Sequence, residues 1–362
     1  MGFVYNQTNH YSDSIPAENR GKVISLGLKA KKVYVGDVKT HDANFAFLST
    51  TLAKLHTKTY TPKVFFTYAK DIPVDTGGGF VDYVEYYTVD WAGIMNDTRN
   101  IFGNNGNVVP RINASMTQNR VPVFTYEIAY DLRFVELEKM KKVPLAKSIE
   151  QIYKDGILAG WDYFVQRIAY LGAGNSNGFF NAANVLTGMI QNTSTTGRGF
   201  EGLTDAEVVG FFNGVFTRYL IESNMNVALL PDTVLVPSFV SADLVNRFSA
   251  LYSNTLMDFI RDHNLGKAQA GKGFEITIEA RPDLDDIGTA SAGRIVAYRK
   301  DKDYVRLDMP YPCQHFITLP NMDKMAYTSA FVGQVSTIQM PYNQDDQTLG
   351  VVTYWDFTTA NA

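Results

Sequence analysis

Residues 144–172 read PLAKSIEQIYKDGILAGWDYFVQRIAYLG. Within them Ile149, Tyr153, Ile157, Trp161, Phe164, Ile168 and Leu171 return every three or four positions, the period of one helix face. Pro144 suits a first helical turn, where its missing N–H is not needed. The spacing predicts a helix over 145–171, ended by Gly172 and Gly174. At 1.5 Å per residue it spans about 40 Å. Gly156 and Gly160 lie one turn apart inside it, and each costs up to ~1 kcal/mol relative to Ala. Either another element packs closely there or the blemish is tolerated. A helix this long needs a broad apolar surface to lie on, and the flanking sequence offers strands.

On the N-terminal side, Lys63–Tyr68 is a strand candidate, followed by Ile72-Pro73-Val74 and a Gly77-Gly78-Gly79 turn. Val81, Tyr83, Glu85, Tyr87 and Val89 then alternate with Asp82, Val84, Tyr86 and Thr88, a period-two strand with two different faces. The stretch to about residue 120 is rich in Asn, Gly and Thr, and strand character resumes at Val121–Tyr126. Two aromatic strands joined by a polar tip make a long protruding β-loop, marginal unless it lies on something. Further back, residues 42–56 read as a helix capped by Asp42, with Phe45, Leu48, Leu52 and Leu55 on one face. Residues 1–40 are polar, with Pro16 and Gly21, and read as an extended arm.

On the C-terminal side, 181–202 is loop-rich. Thr204 and Glu207 form a capping box before Val208, Phe211, Phe212, Val215 and Tyr219. Val234–Val236 is a short buried strand closed by Pro237. Ser241 opens a helix with Leu244, Val245, Phe248 and Leu251, and Thr255 starts another turn through Ile260. Phe274, Ile276, Ile278 and Ala280 alternate as a strand. Arg294–Arg299 and Tyr304–Met309 read as a hairpin about Lys300–Asp303, and strands return over Met325–Ile338 and Val351–Phe357. With helices and mostly antiparallel strands mixed and no internal repeat, the class is α+β.

The bulk properties narrow the function. A chain of 362 residues is expected to divide into two or three subdomains. A net charge of −4 shows no basic stripe for gripping phosphates. Aromatics make up 13%, which suits core filling and equally suits wide half-wet interfaces. Cys313 is alone, so no intrachain disulfide forms, as befits a reducing cytoplasm. The N-terminus resembles neither a signal peptide nor, with Asn6, a myristoylation site, and no run is long enough to span a membrane. His10, His41, His56, His263 and His315 include no i, i+4 metal pair. There is no Gly-x-Ser-x-Gly elbow, and Gly77–Gly79 lacks the Lys-Ser/Thr ending of a phosphate loop. Cys313 reads as a buried inert thiol sooner than a reactive one. Asp283, Asp285 and Asp286 could bind a hard cation, with a solvated acidic loop as the competing reading. No catalytic residue, metal or cofactor is therefore expected.

The order of parts (arm, short helix, long β-loop, long helix, compact α/β block, returning strands) resembles the HK97-like major capsid proteins of tailed phages. It is most similar to the branch once labelled as a domain of unknown function, DUF2184. The likeness rests on three stretches. The first runs from Thr59-Tyr60 through Ile72-Pro73-Val74 into Phe80–Asp90. The second is Tyr126-Glu127-Ile128, Glu136–Met140 and Pro144 through Gly172, with Gly178-Phe179-Phe180-Asn181 after it. The third is Pro231–Pro237, Asp258-Phe259-Ile260 and Ile295–Arg299. The resemblance implies an N-terminal arm (1–60), an extended loop and its base (61–125), a peripheral domain with a spine helix (126–204), an axial domain (205–325) and C-terminal strands returning to the peripheral domain (326–362). It implies self-assembly as hexamers and pentamers into an icosahedral virion shell. That shell would enclose double-stranded DNA without sequence-specific binding, with a portal and room for a decoration protein. Three departures matter. No Lys occurs from Asp71 through Glu138, so no lysine crosslink through the loop is expected. The chain before residue 60 is too short for a built-in scaffolding segment, so a separate scaffolding protein is expected. The fit is loose beyond Pro310.

Charge adds one more expectation. Residues 1–60 carry eight Lys/Arg and four acids, and residues 71–119 carry two Arg and six acids. Arm residues Lys29, Lys31 and Lys32 of one subunit could set register against Asp82, Glu85 and Asp90 of another, with Tyr83, Tyr86 and Tyr87 adding contact area. The competing view is two solvated segments. Two other functions stay open at this point. One is an encapsulin-like compartment shell. The other is a carbohydrate-active α+β hydrolase whose cleft would be lined by Tyr83, Tyr86 and Tyr87.

Overall fold

In the computed structural model the described residues are 65–92, 113–140, 147–183, 185–191, 199–223, 225–248, 254–271, 273–288, 292–341 and 352–358. A short helix α1 (Tyr68–Asp71) leads to strands β1 (Val74–Thr76), β2 (Tyr83–Ala92) and β3 (Asn113–Arg133). Helices α2 (Phe134–Met140) and α3 (Ile149–Leu171) follow, then strands β4 (Gly172–Ala173), β5 (Ser176–Asn177) and β6 (Leu186–Gln191). Next come α4 (Asp205–Glu222), β7 (Thr233–Val236), α5 (Ser238–Asn246), α6 (Leu256–Asp262) and α7 (Leu265–Ala270). The chain ends in β8 (Thr277–Ala280), β9 (Arg294–Tyr298), β10 (Arg306–Met309), β11 (Tyr311–Asn321), β12 (Ala326–Ser336), β13 (Ile338–Gln339) and β14 (Val352–Thr358). The arm and the helix expected over 42–56 lie outside the described residues.

Helix α3 starts later than the Pro144 reading places it. Ser148 is the N-cap: its hydroxyl accepts from the Gln151 N–H, and its own N–H donates to Gln151 Oε1, each at 3.2 Å. This box satisfies two first-turn donors that a proline four residues upstream cannot reach. The helix ends at Gly172, whose φ of +80° favours glycine. The two internal glycines differ. A Cβ at Gly160 would sit 2.9 Å from the Tyr126 hydroxyl, whereas Gly156 faces open space. Only Gly160 marks a close approach, and it is β3 that comes close.

Among the described residues three sheets organise the rest, apart from the small β4–β5 pair. The four-stranded sheet has the order β11-β12-β3-β2 and is antiparallel throughout. Strand β3 belongs to two ladders: Asn113–Pro122 pairs with β2, and Val123–Arg133 pairs with β12. Tyr126 packs against Trp161 and Phe164 of α3 at 5.6 and 5.1 Å between ring centroids. The five-stranded sheet has the order β6-β14-β9-β7-β8. Its central strands are buried on both faces. Val234, Val236, Ile295 and Ala297 join a core with Phe212, Val215 and Phe216 of α4. Leu235, Val296, Tyr298 and Tyr354 join a second core with Trp161, Val165 and Ile168 of α3. The third sheet is β1-β10-β13.

Several expectations need correction. Phe65–Thr67 form no strand, and Tyr68 already belongs to α1. The hairpin expected over 294–309 does not exist. Both edges of β9 are taken, by β7 and β14, so β10 pairs with β1 and β13 instead. Helix α5 begins at Ser238, not Ser241. Its first N–H groups gain a long-range acceptor, because Asp285 Oδ1 takes the Ser238 N–H at 2.6 Å. Strands β6 and β11 and helix α7 were not foreseen at all. Of the C-terminal strands, β12 pairs with β3, whereas β14 enters the five-stranded sheet between β6 and β9.

Candidate assembly surface

The β2–β3 ribbon carries most of the residues that the sequence singles out. Period two sends Tyr83, Glu85 and Tyr87 to one face and Asp82, Tyr86 and Thr88 to the other. Tyr83 and Tyr87 are 49% and 58% exposed, whereas Tyr86 is buried at 8%. Tyr86 therefore does not share the exposed face of Tyr83 and Tyr87, and the three do not line one cleft, which removes the basis of the carbohydrate reading. Glu85 is engaged within its own ribbon, with Arg120 Nε 2.7 Å away across the strands. Arg120 also lies 5.1 Å over the Tyr83 ring. Asp82 has an exposed side chain, and its carbonyl accepts the Val123 N–H at 3.1 Å. The Asp90 side chain, like Lys29, Lys31 and Lys32, lies outside what is described.

A second surface was not legible as a site. The β11–β12 hairpin ends in the turn Met322-Asp323-Lys324-Met325, and Met325 adopts a positive φ of 46°. Met322 and Met325 are 85% and 76% exposed, and Leu319, Tyr327, Phe134 and Val135 are exposed beside them. The Phe134 N–H donates to the Met325 carbonyl at 3.2 Å, which brings the start of α2 against this tip. Lys324 pairs with Asp131 at 2.7 Å, so its charge is balanced locally. Exposed apolar residues clustered this densely make a candidate interaction surface. The available signal was two methionines flanking a charged turn, which is weak.

At the C-terminal end of α3, α1 is held by a buried ionic cluster. Asp71 accepts from Arg281 Nε and from the Tyr170 hydroxyl, each at 2.5 Å, and from Arg281 Nη2. Tyr298 Oη donates to the Asp71 carbonyl at 2.7 Å, and Lys70 pairs with Glu279 at 2.5 Å. Burial, then the Asp71 charge, push the Tyr170 hydroxyl far above the ordinary tyrosine range, so it stays a donor.

Burial raises the Cys313 thiol above its ordinary range, which lowers its thiolate fraction. Asp285 is used as a helix cap, and Asp283 receives a 3.4 Å hydrogen bond from Gln166. Among the described residues no group of three or more His, Cys, Asp or Glu is placed to hold a metal. No helix among them is long and apolar enough to cross a membrane.

Comparison with known proteins gives one consistent result. A family model described as major capsid protein matches residues 97–344, well over half of the chain. Curated proteins give no match. Among solved structures, the capsid of Myoviridae phage XM1 has 16% identity and a TM-score of 0.63, covering 85% of this chain and 98% of its own. A chain from Microbacterium phage Oxtober96 has 10% identity and a TM-score of 0.55, covering 86% and 97%. The capsid of a native GTA particle has 11% identity and a TM-score of 0.54, covering 85% and 96%. At these identities the structural likeness speaks for the fold, and the family match for the role. The chain belongs to the major capsid protein family, and it is a shell subunit with the HK97-like fold of tailed-phage capsids.

Proposed function

We propose that copies of this chain assemble as hexamers and pentamers in the host cytoplasm and close an icosahedral shell around double-stranded DNA. The observation that carries this reading is the β2–β3 ribbon: a two-stranded projection with Tyr83, Tyr87, Val89 and Met116 exposed along it. A ribbon of this kind is marginal in water. A neighbouring copy supplies the surface it lies on, and the Met322–Met325 tip supplies a further apolar contact between copies. Such repeated contacts give a closed assembly its stability. The shell works without catalysis and without lysine crosslinks through the loop. A separate scaffolding protein and a portal act with it, DNA is enclosed without sequence reading, and a decoration protein finds room outside. The subdomain roles follow the same pattern: arm, extended loop, peripheral domain about α3, and axial domain about α4.

The charge-pairing idea narrows. Of the three acids put forward for the pairing, Glu85 is committed to Arg120, which leaves Asp82 and Asp90 to meet Lys29, Lys31 and Lys32 of a neighbour. Negative-stain microscopy with sizing of the purified protein tests the main reading. Uniform shells or capsomer rings are expected, and a compact monomer at assembly concentrations contradicts it. Normal shells from an Asp82→Lys, Asp90→Lys variant contradict the charge pairing alone.

A further inference from the structure

Strand β14 runs parallel to β6 from Thr353↔Leu186 to Thr358↔Gln191 and antiparallel to β9 from Val352↔Tyr298 to Asp356↔Arg294, so both of its edges are laddered. Among the described residues β6 pairs with β14 alone, whereas β8 and β9 both pair with β7 without it. Taking β14 away would leave the β9-β7-β8 sheet, a loose β6 and an open slot between them. Period two divides the side chains of β14 between the two cores. Val352 and Tyr354 enter the core beside α3, whereas Phe357 enters the core beside α4 and Trp355 packs against it. Neither core is closed until this one strand is in.

The slot reads the strand as well as admitting it. Arg294 donates to both oxygens of the buried Asp356, from Nε at 2.6 Å and from Nη2 at 2.9 Å, and its guanidinium lies 4.4 Å over the Tyr354 ring. Tyr354 Oη donates to the Phe179 carbonyl and accepts the Ala182 N–H at 3.2 Å. Opposite Trp355, β6 carries Gly188, where a Cβ would sit 2.4 Å from the indole, so the strand is notched for that ring. Main-chain ladders with pockets for particular side chains are how a sheet recognises an added strand. Residues 192–351 are synthesised between β6 and β14, which at roughly 5–20 residues per second leaves the slot empty for roughly 10–30 s.

We infer that the slot between β6 and β9 is a strand-binding site, that residues 352–358 are its ligand, and that filling it makes the subunit competent to assemble. The competence rests on the shell reading above. Chains whose slot is still empty have two open cores, and they are thereby kept out of growing shells.

The full-length chain tests it. Trp355→Pro puts a proline in a strand laddered on both edges, where it is not accommodated, so the chain's own segment leaves the slot. The probe is a fluorescein-labelled peptide of residues 350–362, added during refolding. Alone, the variant is expected to give at least tenfold fewer closed shells than the parent. With the peptide it is expected to give shells at parental yield, carrying one label per subunit. An Asp356→Ala peptide is expected to bind at least tenfold more weakly, as read by fluorescence anisotropy. Shells at parental yield without peptide overturn the inference. So does failure of the wild-type peptide to bind the soluble variant or to restore its shells. A second measurement does not depend on that variant staying soluble. A protease site is inserted between Asp345 and Asp346 of the parent chain and cut after folding. The cut subunit is expected to keep its C-terminal fragment on sizing and to close shells, whereas closed shells that have lost the fragment overturn the inference. If the uncut parent forms neither rings nor shells, the shell reading fails, and peptide binding to the Trp355→Pro chain still decides the slot.

Discussion

Replacing Asp71 by Ala should destabilise the subunit by about 3 kcal/mol. Asp71 and Arg281 are 2% and 6% exposed, so the pair sits out of water. Removing one partner of a buried ion pair costs roughly 3–5 kcal/mol, because the remaining charge is left uncompensated. Arg281 keeps a second partner in Glu279, which puts the expected loss at the lower end of that range. The Tyr170 hydroxyl loses its Asp71 acceptor but stays 2.7 Å from Thr67 Oγ1, so it adds little. With an unfolding entropy of roughly 2 cal/mol/K per residue, this loss lowers Tm by about 4 °C in a chain of this length. The assay is urea and thermal unfolding of unassembled subunits, read as a double-mutant cycle with Arg281→Met. The expected coupling exceeds about 1 kcal/mol, because Arg281→Met in the Asp71→Ala background removes the orphaned charge. Additive single effects, or an Asp71→Ala variant within about 0.5 kcal/mol of the parent, would refute the reasoning.

Three further outcomes are expected. Ser148→Ala should cost about 1 kcal/mol through loss of the α3 cap, whereas Pro144→Ala should change stability by under about 0.5 kcal/mol; equal losses in unfolding experiments would restore the proline start. Gly160→Leu should disrupt the packing of β3 on α3, whereas Gly156→Ala should be neutral or slightly stabilising; the clash is with Tyr126, so Tyr126→Phe should partly rescue a milder Gly160→Ala change, as read by Tm. Burial raises the Asp308 carboxyl above the ordinary aspartate range, against the opposing pull of Arg306 and the Gln339 hydrogen bond. A raised folded pKa means that the native state holds the proton more tightly, so this contribution is full below the unfolded value of about 4 and is lost as pH rises through the folded one. Asp308→Asn should therefore flatten the pH dependence of stability above pH 4 and raise stability at pH 7; parallel profiles for parent and variant would count against this.

The sequence by itself determined what depends on near neighbours along the chain. The three/four rhythm of 149–171 is a local property and gave α3 through Leu171, although Pro144 drew attention away from the Ser148–Gln151 box. The Thr204–Glu207 box placed the start of α4, and Thr255 that of α6. Period two placed β2, and the order of these parts was enough to suggest the fold and the shell role. The absence of Lys from Asp71 through Glu138 is likewise a plain property of the sequence.

Tertiary structure alone decided who pairs with whom. β9 and β10 read as a hairpin, since adjacent strands usually pair, but β14 from the chain's end and β7 claim both edges of β9. β11 was missed because its residues are exposed on both faces, so burial imposes no period on them. Asp71 and Arg281 are 210 residues apart, and no spacing rule could join them. Charge counting placed Glu85 among residues facing a neighbour, whereas the ladder sets it beside Arg120 of its own ribbon. The division has one physical cause. Helix caps and strand alternation are satisfied within a few residues, but strand edges, buried charges and exposed apolar tips take their meaning from partners that only the folded chain, or another copy of it, brings near.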